Sequence, residues 1–124
     1  MHATAKGILI VHEESAYADY LKNRILRDFP EMTIETTNSA EDALEKFNDR
    51  EFNLVVSDIT LTGMGGLSFF FKMRELHPGL KVVLLYEYIS ETKKRLLDKE
   101  GVYGYLEKPF LMESLQELVR GAFE

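Results

Sequence analysis

The chain alternates short, unbroken apolar runs with longer segments of helical spacing, and few folds accommodate that alternation. Ile8-Leu9-Ile10-Val11, Leu54-Val55-Val56 and Val82-Val83-Leu84-Leu85 are apolar at every position. They are too short for buried helices and too continuous for strands with one wet face, so they read as strands covered on both sides, the texture of a parallel sheet. Met32, Ile34 and Thr36 alternate with polar residues, which suits an edge strand, and Tyr103-Gly104-Tyr105-Leu106 is a fainter fifth strand.

Between these runs the apolar residues recur at helical intervals. Ala18, Leu21, Ile25 and Phe29 share one face up to Pro30. Ala40, Ala43, Leu44 and Phe47 follow Ser39, whose spacing to Asp42 fits a capping box. A third helix runs from Leu67 to Leu76 before Pro78, a fourth from Ser90 or Glu91 to Lys99 before Gly101, and a fifth carries Leu111, Leu115, Leu118, Val119 and Ala122. In the third helix Phe69 shares a face with Met73 and Leu76, while Phe71 lies about 200° away at ~100° per residue, so Phe71 should be the most exposed of Phe69-Phe70-Phe71. Five β/α units imply an α/β, doubly wound parallel sheet with right-handed crossovers and helices on both faces. No repeat or linker interrupts the pattern, so residues 1–124 read as a single domain.

Composition narrows the chemistry. The chain has no cysteine, which removes disulfides and thiolate chemistry together. A formal charge of -6 argues against direct binding to nucleic acid, which rests on clustered Lys and Arg. No window approaches a membrane span and the start, MHATAKG, lacks the apolar core of a signal peptide, so a cytoplasmic location without membrane contact is expected.

In an open parallel sheet, ligands bind beyond the carboxyl ends of the strands. Four strand ends here are polar: His12 and Glu13 after the first, Asp58 after the third, Tyr86 and Glu87 after the fourth, and Lys108-Pro109 after the fifth. Asp58 precedes a loop with three glycines, Gly63, Gly65 and Gly66. A carboxylate so placed can attack a phosphoryl group if positive charge offsets the repulsion of two anions. Glu13 could help hold a cation, and Lys108 could neutralise the phosphoryl oxygens or pair with Asp58 in their absence. Taken singly, an Asp after a strand is usually a turn residue, a Lys before proline is usually solvated, and a His at a strand end is usually hydrogen-bonded locally. Their convergence on one rim is what points to function.

ILIVHEE, LVVSDITLTGMGGLSF and GYLEKPF, in this order and spacing, resemble the receiver domain of two-component response regulators over essentially the whole chain. The resemblance implies a flavodoxin-like sheet of order 2-1-3-4-5. It makes Asp58 the residue phosphorylated by a histidine kinase or phosphotransfer protein, and Lys108 the phosphate-contacting lysine. It puts Mg2+ on Glu13, Asp58 and the Thr60 backbone carbonyl; His12 is a further candidate ligand on its own chemistry, since imidazole suits borderline metals such as Mn2+ or zinc better than magnesium. Tyr86 and Tyr105 fall on switch positions, and the Lys108-Pro109 bond should be cis. The output would be altered contact with a downstream protein or effector domain, a homodimer being one candidate assembly. Autophosphatase activity is the only catalysis implied, so the chain is not expected to be an enzyme.

Three features depart from the family pattern, at the first strand end, at the fourth strand end and in the loop after Asp58. His12 replaces one of two acidic residues at the first strand end, so magnesium should bind weakly, or protonated His12 should pair with Asp58 or Glu13 and partly replace the metal. Tyr86 stands where Ser or Thr is usual, and its phenol must swing outward or fill space that Tyr105 would otherwise enter. Thr62 replaces a common proline, and Gly65 an often acidic residue, loosening the loop. The leading expectation is a phosphoacceptor signalling domain. The alternative is a degenerate pseudo-receiver acting as a phosphorylation-independent interaction module. A metal-dependent phosphohydrolase would also use an aspartyl phosphate, but no cap domain or substrate pocket is discernible.

Overall fold

The computed structural model describes residues 6–61 and 63–124. Five strands and five helices alternate: β1 Gly7–Val11, α1 Ser15–Asp28, β2 Thr33–Thr37, α2 Ala40–Lys46, β3 Leu54–Asp58, α3 Gly66–Leu76, β4 Lys81–Tyr86, α4 Glu91–Lys99, β5 Gly104–Glu107 and α5 Met112–Ala122. All strand pairings are parallel and the sheet order is β2-β1-β3-β4-β5, the doubly wound arrangement the pattern and the resemblance imply. β3 is therefore the central strand, and Asp58 ends it.

The two faces of the sheet carry two cores. Leu9, Val11, Val55, Val82 and Leu84 pack with Ala40 and Ala43 of α2, Phe69, Phe70 and Met73 of α3 and Leu97 of α4. Ile8, Ile10, Leu54, Val56, Val83 and Leu85 pack on the other side with Ala18, Leu21 and Ile25 of α1 and Leu115 and Val119 of α5. Alternate residues of each continuous run thus serve opposite cores, which is why those runs contain no polar position. Ser39 Oγ accepts from the Asp42 N–H at 3.1 Å and Ser90 Oγ from the Lys93 N–H at 3.2 Å, so both serines are N-caps.

Phe69 and Phe70 are fully buried and Phe71 only partly so, as the helical phase requires. Leu76, assigned to the same face as Phe69, is instead half exposed, beside Leu44 and Phe47 at a shallow groove. Leu111 is likewise exposed, because it is the N-cap of α5 rather than part of its apolar face. β5 begins at Gly104, one residue later than the apolar pattern suggests. The Lys108-Pro109 peptide is cis. Thr62 lies outside the described residues.

Candidate functional site at the carboxyl rim of the sheet

The rim is held by backbone bonds that continue the sheet past its strand ends. The His12 N–H donates to Thr37 O at 3.0 Å, the Ile59 N–H to Leu85 O at 2.8 Å and the Lys108 N–H to Tyr86 O at 2.7 Å. Asp58 is therefore fixed by the central strand, with Ile59 and Lys108 tied to the neighbouring strand β4. Gly66 brings the start of α3 close beneath it: a Cβ there would overlap the Asp58 carbonyl oxygen and the Ile59 Cα. Gly63 and Gly65 have positive φ of 72° and 83°, so the glycine-rich loop uses backbone conformations that other residues resist.

Asp58 is 5% exposed, and nitrogen surrounds its carboxylate. Oδ1 accepts from the Thr60 N–H at 3.0 Å. Oδ2 accepts from Lys108 Nζ at 2.5 Å, and His12 Nε2 lies 2.9 Å from the same oxygen. Burial by itself would raise the carboxyl pKa; the contacts from His12, Lys108 and the Thr60 N–H outweigh it and hold the group at about 2, against an ordinary 3.8. The group is an anion throughout the neutral range.

His12 is buried beside it, at 4% exposure. Its Nδ1 accepts from the Glu14 N–H at 3.0 Å. An imidazole whose Nδ1 accepts carries its neutral-state proton on Nε2, so the ring turns a hydrogen, not a lone pair, toward Asp58. That N–H is within reach of Oδ2 but not aligned with it, and Nε2 has no well-directed partner. Tyr17 packs on the ring at 4.8 Å between centroids. Sequence reasoning missed Tyr17, whose only signal is its position in the first turn of the helix that follows His12. Burial and the neighbouring Tyr20 and Asp58 raise its phenol pKa.

Of the residues assigned to a cation, Asp58 is at the centre, Thr60 engages it through its N–H, and Glu13 is exposed at the strand end. Among the described residues no group of three or more His, Cys, Asp or Glu side chains is arranged to hold a metal ion. Asp58 already receives N–H donors on both oxygens, and His12 offers no lone pair. This donor set does not fit Mg2+, which demands several oxygen ligands in near-octahedral geometry.

At the end of β4, Tyr86 is buried and meets Tyr105 edge-on, with ring centroids 6.1 Å apart and planes at 73°. The Tyr105 hydroxyl donates to the Asp98 carboxylate at 3.3 Å, and Lys94 Nζ sits 5.9 Å from the Tyr86 ring centroid. Of the two options open to Tyr86, the ring fills the interior space and Tyr105 stays outside it. His12, Glu14, Tyr17, Glu87, Lys108 and Pro109 line an open cleft of about 360 Å³ over this rim.

A central-strand carboxylate facing a lysine from the last strand end, on a 2-1-3-4-5 sheet, defines the class of doubly wound α/β proteins with an anionic rim site. Within that class, the model of the response regulator receiver domain family matches residues 8–120, and the chain belongs to that family. It is 30% identical over 115 residues to the response regulator protein FleR of Pseudomonas aeruginosa, covering 93% of this chain and 24% of that protein. It is 27% identical to the chemotaxis protein CheY of Halobacterium salinarum, covering 93% of this chain and 94% of that one. A CheY-like receiver domain protein from Methanospirillum hungatei superposes with a TM-score of 0.84 at 30% identity, over 95% of this chain and 93% of that one. The chain spans about a quarter of the length of FleR and of the transcriptional regulator ZraR of Escherichia coli. Receiver domains are signalling modules of two-component systems, generally not enzymes, and generally bind Mg2+ at an acidic pocket. Among the described residues no helix is long and apolar enough to cross a membrane.

Proposed function

We propose that residues 1–124 act as one receiver domain in which Asp58 accepts a phosphoryl group from a phosphohistidine on a kinase or phosphotransfer partner. The observation that carries this reading is the Lys108 ammonium on Asp58 Oδ2 at 2.5 Å, across two strand ends and 50 residues of sequence. A carboxylate held fully ionised is a competent nucleophile, and the ammonium beside it lowers the cost of bringing a second anion close. Phosphorylation then replaces a single negative charge, matched by Lys108, with a bulkier and more negative group. The added charge changes the surface around α4 and β5 that a downstream protein or effector domain contacts.

Incubation with acetyl phosphate, followed by intact mass measurement, tests the reading. One added phosphoryl group is expected on the parent chain and none on Asp58→Asn. A chain that stays unlabelled would return it to the interaction-module alternative, and label that persists in Asp58→Asn would move the acceptor elsewhere.

A further inference from the structure

We propose that this receiver works without a resident divalent cation, and that the His12 Nε2–H, together with Lys108, holds the phosphoryl oxygens in the cation's stead. The inference rests on Asp58 being the phosphoacceptor and goes further, by naming what neutralises the transferred group.

Four features of the rim converge on it. Oδ2 of Asp58 already has two nitrogen donors beside it, His12 Nε2 at 2.9 Å and Lys108 Nζ at 2.5 Å, one from each side of the central strand. The tautomer of His12 is set by the Glu14 N–H on its Nδ1, so the ring is a donor toward the site and cannot ligate a metal without giving up that bond. The ring is buried and braced by Tyr17, which fixes its aim. Finally, Nε2 is a buried donor with no well-aligned partner. It lies 2.9 Å from Asp58 Oδ2 but is poorly aligned with it, and an oxygen arriving on Asp58 would offer that buried N–H a better-directed acceptor. His12 and Lys108 both line the open cleft, so a donor molecule can reach the space between them.

The transfer balances without a metal. An Asp58 carboxylate oxygen forms a bond to phosphorus as the bond from phosphorus to the acetate oxygen of acetyl phosphate breaks. The bonding pair leaves with acetate, which needs no proton, and the three phosphoryl oxygens are left to the His12 N–H, the Lys108 ammonium and the neighbouring backbone. Each contact is a charge-assisted hydrogen bond, stronger in the transition state as charge gathers on those oxygens.

The unmodified chain is labelled with acetyl phosphate in EDTA and, separately, in millimolar magnesium, while magnesium is titrated against the amide NMR signals of residues 12–14 and 58–60. Labelling rates within about twofold of each other, and rim signals that do not move with magnesium, are expected. His12→Leu should label about ten- to a hundredfold more slowly in EDTA, the range that one hydrogen bond to a charged group controls, and His12→Gln, which keeps a donor, should recover part of the loss. His12→Asp should lose labelling in EDTA and regain it with magnesium, with rim signals that now titrate. Labelling of the parent chain only with magnesium would overturn the inference while leaving Asp58 as phosphoacceptor. Labelling of His12→Leu as fast as the parent in EDTA would remove His12 from the role. No labelling under either condition would overturn the phosphoacceptor reading and this inference together.

Discussion

Asp58 shows how a residue's surroundings decide its chemistry. Its pKa is depressed from 3.8 to about 2, so the folded state is favoured by the ionised form. That contribution is complete above the unfolded value and is lost as pH falls through about 2; the shift corresponds to about 2 kcal/mol. Asp58→Asn has no such group to titrate. Urea unfolding followed from pH 5 to pH 2 should therefore lose about 2 kcal/mol more stability in the parent than in Asp58→Asn over that window; parallel curves would mean that the carboxylate is not held by its nitrogen neighbours. The residues of this site were legible in unequal measure. Asp58 and Lys108 could be read because each stands just beyond an apolar stretch, Asp58 after Leu54-Val55-Val56 and a serine, Lys108 after Tyr105-Leu106 and a glutamate. His12 could be read as either a metal ligand or a partner of Asp58 or Glu13, but the choice could not be made, because its tautomer depends on the Glu14 N–H, a backbone group that no residue identity encodes.

Among the elements, the central strands were the most legible, since continuous apolar runs leave no ambiguity when both faces are covered. Helix ends were less so. Periodicity gives the angle of a residue around its helix, but not whether a neighbouring element extends far enough to cover it. Leu76 has the phase of a buried residue and lies in the last turn of α3, half exposed. The ends of β4 and β5 carry a prediction of their own. Tyr86 occupies the interior and Tyr105 is hydrogen-bonded outward to Asp98, so we expect an inward rotation of Tyr105 to be opposed by a ring where a small hydroxyl residue would permit it. Tyr86→Thr should free that space and widen the difference in partner binding between the unphosphorylated and phosphorylated forms. Calorimetric titration of both forms with the cognate partner measures it, and a difference that stays the same or shrinks counts against a blocking role for Tyr86.

On the scale of the whole molecule, the order β2-β1-β3-β4-β5 leaves two strands with one side unpaired among the described residues. An unpaired strand side is a template on which another chain can add, and the two ends of this sheet are blunted by different means. β5 has only four residues and is followed by Lys108 and a proline, which has no N–H to offer. β2 is longer, and its middle residue Glu35 is bracketed by Lys46 at 3.1 Å and Arg50 at 2.5 Å, a knot of charge that a strand laid alongside would have to strip of water. We expect the ion pairs of Lys46 and Arg50 on Glu35 to guard this edge against fibrous self-addition. Glu35→Val would turn β2 into the uncharged β-branched stretch Thr-Ile-Val-Thr-Thr and strand both cations. Static light scattering at rising concentration should then report growing particles while the parent chain stays at constant mass; equal scattering from both would show that the edge is protected by something other than this charge.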